Sequence, residues 1–270
     1  MCSLPPPPPP PPQTLDLKHD SPELPSYADS NPTPKFPEIC EWATKNLDLW
    51  EACAKNSICP QIAPFKYCYK HFESILQVGP TCGLAALSML VGGKVTASEM
   101  LDICKQEGYS NNGEMLSSKD MVKLAEKVFS LASIEGVSCG VKFGHLFSHD
   151  IIEKLLDGAV LLVPYDADAN HSPCLRQGHK AHWALVSGVI VSRNSGSTLD
   201  SDPDNVYILC RHGKSRYLAT WRLFDLYNSN KNLWEFIPPK GKENQLFIIP
   251  KGGIGGVDGL RKQFVIFHGL

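Results

Sequence analysis

The chain has 270 residues, 43% of them hydrophobic, enough for a sizeable core in one large domain or two modest ones. A formal net charge of -2 argues against a nucleic-acid-binding surface, which would need a concentrated basic excess. No apolar run approaches bilayer length, and the amino end is polyproline rather than a charged segment followed by an apolar one, so a soluble, intracellular protein is expected. On that expectation the ten cysteines are read as reduced thiols and not as a disulfide framework.

Residues 5–12 are eight consecutive prolines within a polar, proline-rich segment that runs to about residue 36. Such a segment cannot bury enough apolar surface to fold alone, and its octet favours the polyproline II helix that aromatic grooves accept. It reads equally as a docking tail or as a solubilising one. From Pro37 onward Ile39, Trp42, Leu47, Leu49, Trp50 and Cys53 recur at helical intervals, so a folded domain is expected over 37–270. Residues 54–76 carry no clear period.

Residues 77–91, Gln-Val-Gly-Pro-Thr-Cys-Gly-Leu-Ala-Ala-Leu-Ser-Met-Leu-Val, place a Gly-Pro turn before a strongly apolar helix and set Cys82 at its first turn. The unpaired N–H groups and positive dipole end there favour a thiolate. Further helices are predicted after the capping box Thr96-Ala-Ser-Glu99, after Ser117-Ser-Lys-Asp120, and from Ser148 through Leu156, closed by Gly158. The pattern then turns extended. Residues 136–143, 159–165, 182–191, 206–211, 219–223, 245–249 and 263–267 read as strands, with a polar hairpin connection over 192–204. Helices first and strands afterwards indicate an α+β fold: a helical first half, with the cysteine at a helix N-terminus, packed on an antiparallel sheet from the second half.

A thiol nucleophile needs a base. Among nine histidines, His182 opens the apolar strand His-Trp-Ala-Leu-Val-Ser-Gly, whereas His145, His149 and His171 fall in loops or helix starts and His179 in a loop. Gln77, five residues before the cysteine, could put a side-chain amide beside the same sulfur. A zinc site built on Cys174, His179 and His182 lacks a clear fourth ligand.

The Gln-x-Gly-Pro-Thr-Cys-Gly-Leu-Ala-Ala-Leu stretch and the later His-Trp-Ala-Leu-Val-Ser-Gly resemble papain-like cysteine peptidases of the kind that process bacteriocin leaders. With the proline-rich leader, Gly-His-Lys-Ala-His-Trp-Ala-Leu-Val-Ser-Gly and Leu-Cys-Arg-His-Gly-Lys-Ser, the chain from about residue 37 onward looks like the actin maturation protease family. The resemblance implies a cytoplasmic thiol aminopeptidase that removes the N-acetylated first residue from immature actin, with no cofactor and with a leader that contacts profilin. It gives Cys82 as nucleophile, His182 as base and Gln77 as oxyanion donor. An acidic new actin terminus makes Arg176, Lys180, Arg211, Lys214 and Arg216 candidate substrate-binding residues. The bacteriocin-type enzymes carry an Asp at the end of the strand after the histidine; here His212 stands at that place, and Asp200, Asp202 and Asp204 come earlier. The competing readings are a catalytically idle proline-rich adaptor and a thiol hydrolase or transferase acting on another acylated amine.

Overall fold

A computed structural model describes residues 40–56, 58, 64–193 and 198–270. The proline-rich segment, and positions 194–197 of the predicted hairpin connection, lie outside the described residues. Among the described residues, six α-helices and a seven-stranded antiparallel sheet make up the α+β architecture expected from the sequence. No described helix is long and apolar enough to cross a membrane.

The helices are α1 (Leu47–Asn56), α2 (Cys82–Leu90), α3 (Ala97–Glu107), α4 (Ser118–Leu131), α5 (His149–Leu156) and α6 (Leu223–Lys231). The strands are β1 (Lys66–Tyr69), β2 (Ser138–Phe143), β3 (Val160–Asp166), β4 (Ala181–Val191), β5 (Val206–Arg211), β6 (Ala219–Arg222) and β7 (Gln263–His268). In the sheet they run β2-β7-β3-β4-β5-β6, with β1 also on β4. The eleven residues of β4 are its spine: their first half pairs with β3, their second half with β1, and β5 follows along the other edge. Gly188 sits at the register shift opposite β5, and a Cβ there would lie 2.6 Å from the Cys68 carbonyl, so only glycine lets β1 approach.

Every residue of α2 is buried, matching its run of Leu, Ala and Met without a polar face. It packs with α3 and α4 on the face of the sheet that presents Trp183, Leu185, Val265 and Phe267. The opposite face, with Tyr165, Ala184, Val186 and Ile208, is covered by α5 and α6. A helix on each face of β4 fixes the strand whose first turn of chain carries His182.

The local start signals are used as read. Thr96 and Glu99 close a reciprocal capping box, and Ser117 and Ser148 accept from the N–H groups of Asp120 and Ile151. One expected strand is absent, and one helix, α6, was not expected. Residues 245–249 form no strand: the Leu246 carbonyl accepts from the Asn111 and Asn112 side chains, and this segment belongs to an irregular strap from about 232 to 262. After Arg222 the chain enters α6. Its Asn and Ser residues are weak helix formers, but Ser229 bonds the backbone of Asp166, and Asn230 donates to the Pro164 and Gln263 carbonyls. Tertiary bonds there outweigh propensity.

Candidate active site

Cys82 is the first residue of α2 and is only 8% exposed. Gly79 takes φ +69° in the turn before it. Thr81 makes no capping bond, its hydroxyl donating back to the Val78 carbonyl at 2.9 Å, so side chains leave the first-turn N–H groups open. The backbone N–H groups of Trp183, Gly83 and Cys82 reach the sulfur and favour its thiolate, as does the Lys214 charge. Burial outweighs them and pushes the thiol up to about 11. The sequence expectation of a thiolate favoured by the helix start is thereby corrected: desolvation beats the helix end in the free protein.

His182 lies at the mouth of β4, directly opposite Tyr165 of β3, and is 7% exposed. Burial, then the neighbouring His212, His171 and Lys214, push its imidazole down to about 3. At neutral pH the pair therefore rests as thiol and neutral imidazole. Because Trp183 follows His182, the backbone contact from Trp183 to the sulfur ties Cys82 to the strand that carries His182. Both side chains line one cavity of about 520 Å³ with Gln77, Pro80, Glu114, Met115, Leu116, His171, Lys180, Lys214 and residues 236–240 of the strap.

Gln77 is held against the loop after β5. Its N–H donates to the Gly213 carbonyl at 2.8 Å, and a Cβ on Gly213 would lie 2.8 Å from the Gln77 Cβ. Nε2 donates to the Gly79 carbonyl at 2.6 Å, which leaves the amide's second N–H for a ligand. The loop 110–115 packs against the chain neighbours of both Cys82 and His182. Gly113, at φ +111°, packs on Thr81, where a Cβ would come within 2.7 Å of the Thr81 methyl, and the Met115 carbonyl accepts from Trp183 Nε1 at 2.9 Å. A separate, mainly apolar groove between α1 and Tyr217 has neither cysteine nor histidine among its described lining residues.

The five cationic candidates separate. Lys180 and Lys214 line the cavity. Arg176 pairs with Asp168 at 2.7 Å. Arg211 is corrected: it is 2% exposed, its guanidinium committed to Asp48 and to the Arg216 carbonyl, so it is an internal tie and not a surface cation. Arg216 lines a different hollow with Asp48 and Glu73. Sequence reasoning missed Lys240 and the strap wall, because Phe236-Ile-Pro-Pro-Lys240 has no period to read. It also set His171 aside as a loop residue, and left His212 without a role. The rings of His171 and His212 lie 6.2 and 6.1 Å from that of His182.

Comparison with known proteins places the chain in a family. Residues 72–190, which contain Gln77, Cys82 and His182, match the family described as actin maturation protease-like, C-terminal domain. The actin maturation protease of Drosophila melanogaster is 42% identical over 232 residues, covering 86% of this chain and 82% of that protein. Those of Danio rerio and Homo sapiens are 33% and 30% identical, covering 73% and 67% of this chain and 73% and 60% of their own lengths. With identity of this extent over most of both chains, the protein belongs to the actin maturation protease family.

Proposed function

We propose that this chain is a papain-like cysteine aminopeptidase that removes the N-acetylated first residue of immature actin and exposes the acidic terminus behind it. One observation carries the reading: a cysteine at an uncapped helix start and a histidine at a strand mouth share a single cavity, tied by the Trp183 N–H. The relatives' name, actin maturation protease, supplies the substrate.

Cys82 attacks the carbonyl of the acetylated residue as its proton passes to His182, so the thiolate forms only during attack. The tetrahedral oxyanion accepts from the free N–H of Gln77 and from the Cys82 N–H. His182 then gives its proton to the departing actin amine, leaving the acetylated residue as a thioester on Cys82. A water deprotonated by His182 hydrolyses that thioester, and the same donors hold the second oxyanion. Lys180 and Lys214, with Lys240, meet the acidic terminus as it leaves. The peptidase domain spans about 37–270, no cofactor takes part, and Pro5–Pro12 serve as a docking segment for profilin in the cytoplasm.

Rapid acid quench of the protein mixed with an acetylated, acidic amino-terminal peptide tests the chemistry by peptide mass. The acetylated residue should be found on Cys82. Product formed with the acyl group on another side chain, or with none on the protein, contradicts the mechanism. A Cys82→Ala protein that retains its cellular role would favour the idle-adaptor reading.

A further inference from the structure

The mechanism just given, on which this inference rests, leaves one nitrogen of His182 unexplained. Nε2 is shielded from water and has no hydrogen-bond partner. An imidazole that must become an imidazolium needs an acceptor for its second N–H, both to hold the ring and to stabilise the charge. Of the carboxylates on the cavity itself, Asp168 pairs with Arg176 and Glu114 lies beside the Asn112 side chain, and neither is among the charges that act on His182. Asp166 pairs in register with Ala181, so alternation puts it on the other face of the sheet from His182, where it accepts from the Arg176 N–H. Asp202 caps a short 3₁₀ helix, and Asp204 pairs with Arg222. Asp200 sits beside Thr198 and His149.

His212 is the group that remains. Its residue follows β5, whose Arg211 pairs with Leu185, so His212 continues onto the face shared by Ala184 and His182. Trp221 stacks on the ring at 16°, fixing its plane. The His212 and His182 rings cross at 69° with centres 6.1 Å apart, an arrangement in which ring edges, where the nitrogens sit, can meet. Nδ1 of His212 is, like Nε2 of His182, buried and without a partner. His171 is different: it lies at 25° to His182, face to face, so its in-plane nitrogens do not point at that ring.

We propose that His212 is the positioning residue of the Cys82–His182 pair, its Nδ1 accepting the Nε2–H of His182 where related thiol enzymes use a carboxylate. A small rotation of the His182 ring closes the remaining gap. The arrangement requires neutral His212 with its proton on Nε2, and leaves Nδ1 of His182 to face the sulfur. A neutral acceptor stabilises an imidazolium less than an anion would, in keeping with a pair that stays uncharged until substrate arrives. The other titratable groups nearest the ring are His171 before β4, Lys214 after β5, Tyr165 on β3 and Cys82 itself, with Glu114, Asp168, His179, Lys180 and Lys240 on the same cavity.

Iodoacetamide alkylation of Cys82 against pH, followed by peptide mass, reads the pair without any substrate. His212→Asp should move the midpoint for rapid alkylation down by about one pH unit or more, because an anion beside the imidazolium favours proton transfer from sulfur. His212→Ala should move it up and lower turnover by about tenfold or more, with KM little changed. Midpoints equal to the unsubstituted protein's in both folded variants would overturn the proposal. Should neither variant fold, ¹⁵N NMR of the unsubstituted protein decides: His212 carrying its proton on Nε2 supports the assignment, and on Nδ1 refutes it. Absence of peptide cleavage alongside the expected alkylation shifts would remove the actin reading and leave this one standing.

Discussion

Burial at the site sets a pH dependence of stability as well as of chemistry. Burial, the largest cause for each, holds His182 down at about 3 and His212 at about 4. Both values lie below the ordinary histidine pKa of about 6.5. Between these folded values and the unfolded one, the unfolded chain binds more protons, so stability is full above about pH 6.5 and is lost as pH falls toward 4. Urea unfolding from pH 7.5 to 4.5 should show this decline. His182→Gln should make it shallower by up to about 1.4 kcal/mol per pH unit, one proton's share; an unchanged slope would contradict the burial account. At this scale the sequence was most informative where one residue's type and its neighbours coincide. Cys82 after Gly79-Pro80, and His182 before an apolar strand, announced themselves, and the structure puts both on one cavity. Arg211 did not, because a lone arginine ending a strand carries no mark of whether Asp48, 163 positions away, will claim it.

Among the elements, the turn that delivers Gln77 depends on the loop after β5 as much as on its own glycine. Gly213→Ala would push its new methyl against the Gln77 Cβ and Cγ, which lie at 2.8 and 3.2 Å from that position. The expected outcome is a fall in kcat of about ten- to hundredfold, as for a displaced oxyanion donor, with a melting temperature within a few degrees. Unchanged kcat in the folded variant would remove Gln77 from the oxyanion site. Helices α3, α4 and α5 were legible because each start is written in three or four adjacent residues. The helix α6 and the strap were not, since their bonds go to Pro164, Gln263, Gln177 and Asn111, far along the chain. The short β1 was also silent, its place set by the space beside Gly188 and not by its own period.

Across the whole molecule, α1 is joined to the sheet by the Asp48–Arg211 pair, with Arg211 buried and Asp48 one-third exposed. Asp48→Asn should destabilise the fold by about 3 kcal/mol, less than a fully buried pair because water reaches the Asp48 side, as read from the chemical denaturation midpoint. A loss below a few tenths would mean that Arg211 finds another acceptor. The cavity's cations make a separate claim at this scale. Lys180→Glu with Lys214→Glu should lower kcat/KM for peptides with acidic residues after the cleaved bond by about tenfold or more, and spare neutral peptides. Equal effects on both substrates would deny the lysines a part in recognition.

The central claim is that Cys82 and His182 release an acetylated residue from an acidic amino terminus. It is tested most directly by incubating the purified protein under reducing conditions with acetylated actin-type amino-terminal peptides and weighing the products. The account predicts a free acetylated amino acid and a peptide shorter by one residue, both absent with Cys82→Ala. No release from the unsubstituted protein, or undiminished release from the Cys82→Ala protein, would contradict it.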